Sequence, residues 1–338
     1  MDLNTIWFLL VAVLLVGYAI LDGFDLGVGV LHLFTKNEEE KRININAIGP
    51  VWDGNEVWLL TGGGALFAAF PVVYATVFSG FYLALMLLLF ALIFRAVSFE
   101  FRGKVESERW KRTWDTAFGL GSLLPAVLFG VAIGNILRGI PIDADGMFTG
   151  TFFTLLNPYS ILVGVLSLIL FTMHGSIYMT MKTSDKQLER MKNIAPRLWI
   201  AFVSLYVLTT IYSFFEAGYL FESVLSSPLF WILFIVMLAA VIYIPVALKS
   251  EKFGRAFFAS SLTIACMMGL MAVSLFPRLV PSLTDLANSL TIYNASSTER
   301  TLFTMLIIAL IGMPFVIGYT IFIYRVFKGK VQLGEHSY

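Results

Sequence analysis

The chain has 338 residues, 58% of them hydrophobic and only 13% charged, with a mean hydropathy of +0.84. That balance excludes a soluble globular domain and marks an integral membrane protein. The 23 Lys and Arg stand against 22 Asp and Glu, a net charge of +1 that leaves no basic domain for nucleic acid, and the lone Cys266 excludes a disulfide framework or cysteine-held cluster.

About 20 apolar residues in a helix cross the roughly 30 Å hydrocarbon layer. The first such segment, near 6–34, contains Asp22 and Asp25 and outruns the apolar core of a cleaved leader, so it is expected to remain as a span. From Val57 to Phe94 there is no charge at all. One helix over that stretch would be about 57 Å long, so it must turn back. Pro71, Tyr74, Ser79 and Gly80 supply the turn, which predicts spans near 56–73 and 77–98. Further spans are expected near 115–136, 158–181, 197–216, 228–248, 257–278 and 302–325. The fold class is therefore all-α, an integral membrane protein of nine transmembrane helices, drawn as two four-helix bundles plus one peripheral helix within one polytopic domain over 1–338.

All of the Lys and Arg except Arg138, Arg278 and Arg300 fall on one side of this arrangement. The positive-inside rule then places the N-terminus outside and the C-terminus in the cytoplasm.

Several polar residues in or beside the spans need a reason. Asp22 and Asp25 share one helix face at i, i+3, and each costs about 2.5–3.5 kcal/mol near the centre of a bilayer. They read either as a proton-carrying or charge-paired site, or as structural partners of Arg or Lys near the inner interface. Asp53 and Glu56, in the run Trp52-Asp53-Gly54-Asn55-Glu56-Val57-Trp58, open the second span. They read as a capping box, Asp53 at N-cap and Glu56 at N3, or as proton collectors at a hydrated mouth. Arg95 is either a partner of Asp22 or Asp25 or a snorkelling cation. Among the three histidines, His336 lies in the tail and His32 near an inner interface, so only His174 is placed for an intramembrane haem ligand, and a hydrogen-bonded packing role is the commoner use of such a residue. The 31 Phe suit packing and lipid contact, and also a prenylated quinone tail.

Taken together, Leu21-Asp22-Gly23-Phe24-Asp25-Leu26-Gly27-Val28-Gly29, the Trp52–Trp58 run, Gly63-Gly64-Ala65-Leu66-Phe67-Ala68-Ala69-Phe70-Pro71 and Ser79-Gly80-Phe81-Tyr82 resemble subunit II of the cytochrome bd quinol oxidases. Phe94-Arg95-Ala96-Val97, Trp114-Asp115, Gly130 to Asn135, Leu156-Asn157-Pro158 and Phe276-Pro277 extend the likeness over the whole chain. The resemblance implies a respiratory subunit in a bacterial cell membrane that supports a haem-bearing subunit I. Haem b, haem d and quinol oxidation belong to that partner, a bound quinone is compatible with this chain, and there is room for a small accessory subunit. The chain itself would ligate no haem or metal and would not be catalytic alone. By the same resemblance Asp53 and Trp58 belong to a hydrated proton route from the cytoplasm, with Glu56 beside them. Asp22, Asp25 and Arg95 form the buried charged cluster near it, and Asn135 lines its distal part. Two other readings stand: a proton- or cation-coupled secondary transporter, and a self-sufficient b-type cytochrome ligated by His174.

Overall fold

A computed structural model describes residues 2–222 and 224–334, so His336 lies outside the described residues. The chain folds into α1 (Leu3–Leu33), α2 (Glu38–Ile48), α3 (Trp52–Ala69), α4 (Pro71–Gly80), α5 (Tyr82–Phe101), α6 (Glu108–Arg138), α7 (Pro158–Lys182), α8 (Asp185–Glu216), α9 (Pro228–Lys249), α10 (Phe253–Leu275) and α11 (Glu299–Val326). The only paired strands among the described residues are β1 (Arg278–Val280) and β2 (Leu290–Thr291), antiparallel.

Among the described residues eight helices, α1 and α5 to α11, are long and apolar enough to cross a membrane. The expected span at 56–73 has a different form. It is divided at Phe70, whose backbone leaves the helical region, into α3 and the short α4 with Pro71 at its first position. Proline lacks an amide donor and is tolerated at a helix start, so Pro71 begins a helix here where the sequence suggested that it ended one. The carbonyl of Ala69 at the break accepts from Ser297 N at 2.8 Å, tying the junction to the segment before α11. Helix α4 lies at this end of the molecule, where Phe70, Val73 and Phe81 share one apolar core with Trp7 and Phe8, and Phe81 alone separates it from α5.

Helix α2 was not expected as an element. Asn37 caps it, its side-chain oxygen accepting from Glu39 N and Glu40 N, and Glu38, Glu39 and Glu40 favour the positive end of the helix dipole. Helices α6 and α8 begin well before the apolar segments at 115–136 and 197–216, because their polar first turns continue the helix beyond the span.

Helices α1, α6 and α7 lie against one another at the centre. Two glycines let α1 and α7 approach closely: a Cβ on Gly27 would overlap the backbone of Phe171 and Gly175, and one on Gly175 would overlap Gly27. Helix α5 packs on α6 and α3 on α1, while α7, α8, α9 and α10 form a second set. An apolar core with Leu26, Leu166, Phe171, Met173, Phe202 and Ile244 joins α1 and α7 to that set. At one end, the loops around Ile140, Val280 and Ile292 pack on Trp7, Phe8 and Phe70 to form a second core. None of the most apolar window of α11 is buried within the chain.

Candidate functional site

Four charged side chains meet beneath the surface. Asp22 and Asp25 of α1 and Arg95 of α5 are each 0% exposed, and Glu56 of α3 reaches them with its side chain 21% exposed. The Arg95 guanidinium grips Asp22 at both ends, Nη2 to Oδ1 at 2.7 Å and Nη1 to Oδ2 at 3.1 Å. Nη1 also donates to Glu56 Oε1 at 2.9 Å, and Asp25 Oδ2 lies 3.9 Å from Nη2. The planar fork of arginine matches a carboxylate in this way, which the point charge of a lysine does not.

Neutral groups complete the cluster. Tyr18, one turn before Asp22, donates its hydroxyl to Asp22 Oδ2 at 2.8 Å. Asn55 Nδ2 donates to Asp25 Oδ2 at 2.7 Å, and Tyr324 of α11 donates to Asn55 Oδ1 at 3.0 Å. Asp25 Oδ1 and Arg95 Nε remain buried with no hydrogen-bond partner. Small residues bring the helices close enough for this. A Cβ on Gly121 of α6 would overlap the backbone at Ala91 and Arg95, so Gly121 admits the Arg95 turn against α6.

The charge balance decides the chemistry. Three carboxylates face one guanidinium, two of them wholly buried and the third, Glu56, open in part to the surface. Buried charge that lacks a partner is costly, and Arg95 compensates through its bonds to Asp22 and Glu56 while Asp25 lies at 3.9 Å.

The capping box expected at the start of α3 is not present. Val51 holds the N-cap position without a side-chain bond, Asp53 lies exposed in the first turn, and Glu56 turns to Arg95. The chain enters α3 directly from the turn after α2, with Val51 N bonded to Ile48 O and Asn55 N to Val51 O, so the helix begins before Asp53. Snorkelling by Arg95 is likewise excluded by its complete burial. Trp58 packs its ring on Gly17, next to Tyr18, with its indole Nε1 buried and unpartnered.

Asn135 lies apart from this cluster. It is 14 residues beyond Gly121 on α6 and so about 21 Å farther along the axis. Its Nδ2 donates to Val131 O and Leu155 O, and its Oδ1 accepts from Asn157 Nδ2, joining α6 to the entry of α7.

His174 does not fit haem iron. Its Nε2 lies 3.1 Å from Ile20 O and its Nδ1 2.6 Å from Ser260 Oγ, and its ring stacks on Phe257. A backbone carbonyl can only accept, so Nε2 carries the proton and Nδ1 accepts from Ser260, which leaves neither nitrogen for a metal. His32 belongs to a second network, missed in the sequence, in which Asp115 receives His32 Nε2, Lys41 Nζ and Arg102 Nε at 2.8, 2.8 and 2.6 Å, and Arg102 also holds Glu38. Among the described residues no group of three or more metal-binding side chains converges.

The model of the family described as cytochrome bd terminal oxidase subunit II matches residues 3–327. The chain belongs to that family. It is 40% identical to cytochrome bd ubiquinol oxidase subunit 2 of Bacillus subtilis, over 99% of this chain and 98% of the relative. It is 37% identical to cytochrome bd-I ubiquinol oxidase subunit 2 of Escherichia coli K12, over 99% and 98%. It is 38% identical to a probable cytochrome oxidase subunit 2 of Haemophilus influenzae, over 98% and 95%. A chain of the bd oxidase structure from Geobacillus thermodenitrificans shares the fold, with a TM-score of 0.81 at 18% identity, covering 97% of this chain and 99% of that one. Membership of the subunit II family makes this chain a multi-pass membrane subunit of a respiratory quinol oxidase, and neither the transporter nor the self-sufficient cytochrome accounts for that membership.

Proposed function

We propose that the chain supports a haem-bearing subunit I and conducts protons from the cytoplasm toward the oxygen-reducing centre that this partner holds. Haem b and haem d in subunit I would supply the electron transfer and oxygen chemistry; His174, with both ring nitrogens engaged, supplies no ligand to them. The relatives are named as ubiquinol oxidases, and a quinol is the electron donor in this reading.

The observation that carries the proton role is the graded exposure along α3. Asp53 is exposed, Glu56 stands three residues farther on the same helix face and is part-exposed, and Glu56 is bonded to an Arg95 that is wholly buried with Asp22 and Asp25. A proton taken at Asp53 passes to Glu56 and then to a site with more carboxylates than cations. Trp58 flanks the passage, and Asn135 stands at its outer, distal end. Protons drawn from the cytoplasm for oxygen reduction carry charge across the membrane, and each charge crossing 100 mV is worth about 2.3 kcal/mol.

In this reading the chain crosses the membrane nine times, with α3 as the crossing that composition alone does not identify, the N-terminus outside and the C-terminus in the cytoplasm. The packing supports two bundles, one of α1, α3, α5 and α6 and one of α7 to α10, with α11 peripheral. A cavity of about 860 Å³ bordered by α1, α6, α9 and α10 has an almost entirely apolar lining, including Phe8, Val11, Ile133 and Met268, and suits the isoprenoid tail of a bound quinone.

The test is turnover of the purified complex carrying Glu56→Gln or Asp53→Asn, with haem content read from the visible spectrum. Slowed oxygen consumption at normal haem content is expected for both, with Glu56→Gln the stronger. Unchanged turnover in both variants would remove the proton role.

A further inference from the structure

The end of the molecule where α7 stops and α10 starts carries a concave site that the proton route does not use. A shallow cavity of about 560 Å³, wide open to the surface, is lined there by the exposed Lys252, Arg255 and Lys330 beside the apolar Met181, Leu188 and Phe253. None of the three cations has a carboxylate within ion-pair distance among the described residues. Glu251 also lines the cavity and shares Lys192 with Glu189, Lys192 Nζ lying 2.7 Å from Glu251 Oε1 and 2.8 Å from Glu189 Oε1, so the lining sets three cations against one carboxylate.

Two further features suit an anion. The lining is built rather than incidental: Lys182 Nζ donates to Phe327 O at 2.6 Å and Lys182 O accepts from Val331 N at 2.9 Å, so the chain on either side of Lys330 is fastened to the end of α7. In addition, α10 begins with no side-chain cap and no acidic residue in its first turn, while Gly254 has nothing within 4 Å of where its Cβ would stand. Amides at a helix start favour negative charge, and the missing side chain leaves them open to the cavity.

We propose that this cavity binds a phosphate-bearing anion, supplied either by the headgroup of an anionic phospholipid or by free phosphate. Three cations against one carboxylate favour a phosphate, and the apolar wall beside them at the end of membrane helices suits the glycerol and first methylenes of a lipid. The inference is independent of the proton role.

The test uses the intact oxidase complex and the rate at which acetic anhydride modifies Lys252 and Lys330, read by peptide mass spectrometry, with exposed Lys104 as reference. The complex is compared in phosphatidylcholine nanodiscs, in nanodiscs that also contain phosphatidylglycerol, and in phosphatidylcholine nanodiscs with added inorganic phosphate. A ligand at four times its Kd slows modification about fivefold. Protection of Lys252 and Lys330 beyond that of Lys104 by phosphatidylglycerol alone identifies a lipid headgroup, and the same protection by inorganic phosphate identifies the free anion. Arg255→Gln, at an exposed position, is expected to reduce either protection to less than twofold. Protection no greater than that of Lys104 in both arms, or protection unchanged by Arg255→Gln, overturns the proposal.

Discussion

An ionisable side chain in an apolar run stands out by its cost, and for that reason Asp22, Asp25 and Arg95 could be singled out from sequence. Their pairing could not. Arg95 lies 73 positions from Asp22, and the choice of Asp22 over Asp25 depends on which carboxylate the guanidinium can hold at both ends. Tyr18, Asn55 and Tyr324 went unnoticed because neutral polar residues are ordinary in spans, although Tyr18 stands at helical spacing from Asp22 and Asn55 adjoins Glu56. Removing one partner of a buried ion pair costs about 3–5 kcal/mol, so Arg95→Met should leave little haem-containing complex in the membrane. Arg95→Lys should rescue it poorly, because an ammonium cannot hold both oxygens of Asp22 and Glu56 at once. Wild-type yield of Arg95→Met would show that the pairing is dispensable. His174→Ala should retain the full Soret band of the complex while lowering its thermal stability by about 1–3 kcal/mol, the range for a lost buried hydrogen bond. A haem deficit would return His174 to the list of ligands.

At the scale of elements, hydropathy was a sound guide wherever a span was uniformly apolar, as in α9 and α10. It is weaker where polar residues crowd the start of a short helix. Helix α3 opens with Asp53, Asn55 and Glu56, and its average hydropathy falls for the same reason that it is chemically useful. The break at Phe70 was legible only as a proline, since a proline both ends one helix and opens another, and the Ser297 bond to Ala69 O at the junction joins residues far apart in the chain. Helix contacts yield a sharper expectation. Gly27→Leu must push α1 from α7 because its side chain meets Phe171 and Gly175 backbone, and the complex should fail to accumulate, as judged by haem per membrane protein. Gly63 and Gly64 of α3 have nothing within 4 Å, so substitutions there leave this chain's own packing intact.

Those open glycines matter for the whole molecule. Helix α11 packs on α3 and likewise shows open space at Gly312 and Gly318, with no burial in its most apolar window. Small residues on neighbouring membrane helices admit close approach by a further helix, so this face is where subunit I is expected to sit. Gly64→Leu should leave the chain stably inserted and reduce the amount of subunit I that copurifies through a tag on this chain. Equal recovery of both subunits would place the contact elsewhere.

The charged cluster also imposes an order on biogenesis. Asp22 and Asp25 leave the ribosome with α1, while the arginine that neutralises Asp22 follows only with α5 and the Tyr324 hydroxyl that braces Asn55 only with α11. During synthesis the first span therefore carries two carboxylates without their arginine partner until α5 has been made. A chain interrupted before α11 would have its ion pair but lack the Tyr324 brace. A copy truncated before α11 would therefore be loosened first at Asn55 and Asp25, which Tyr324 braces in the full chain.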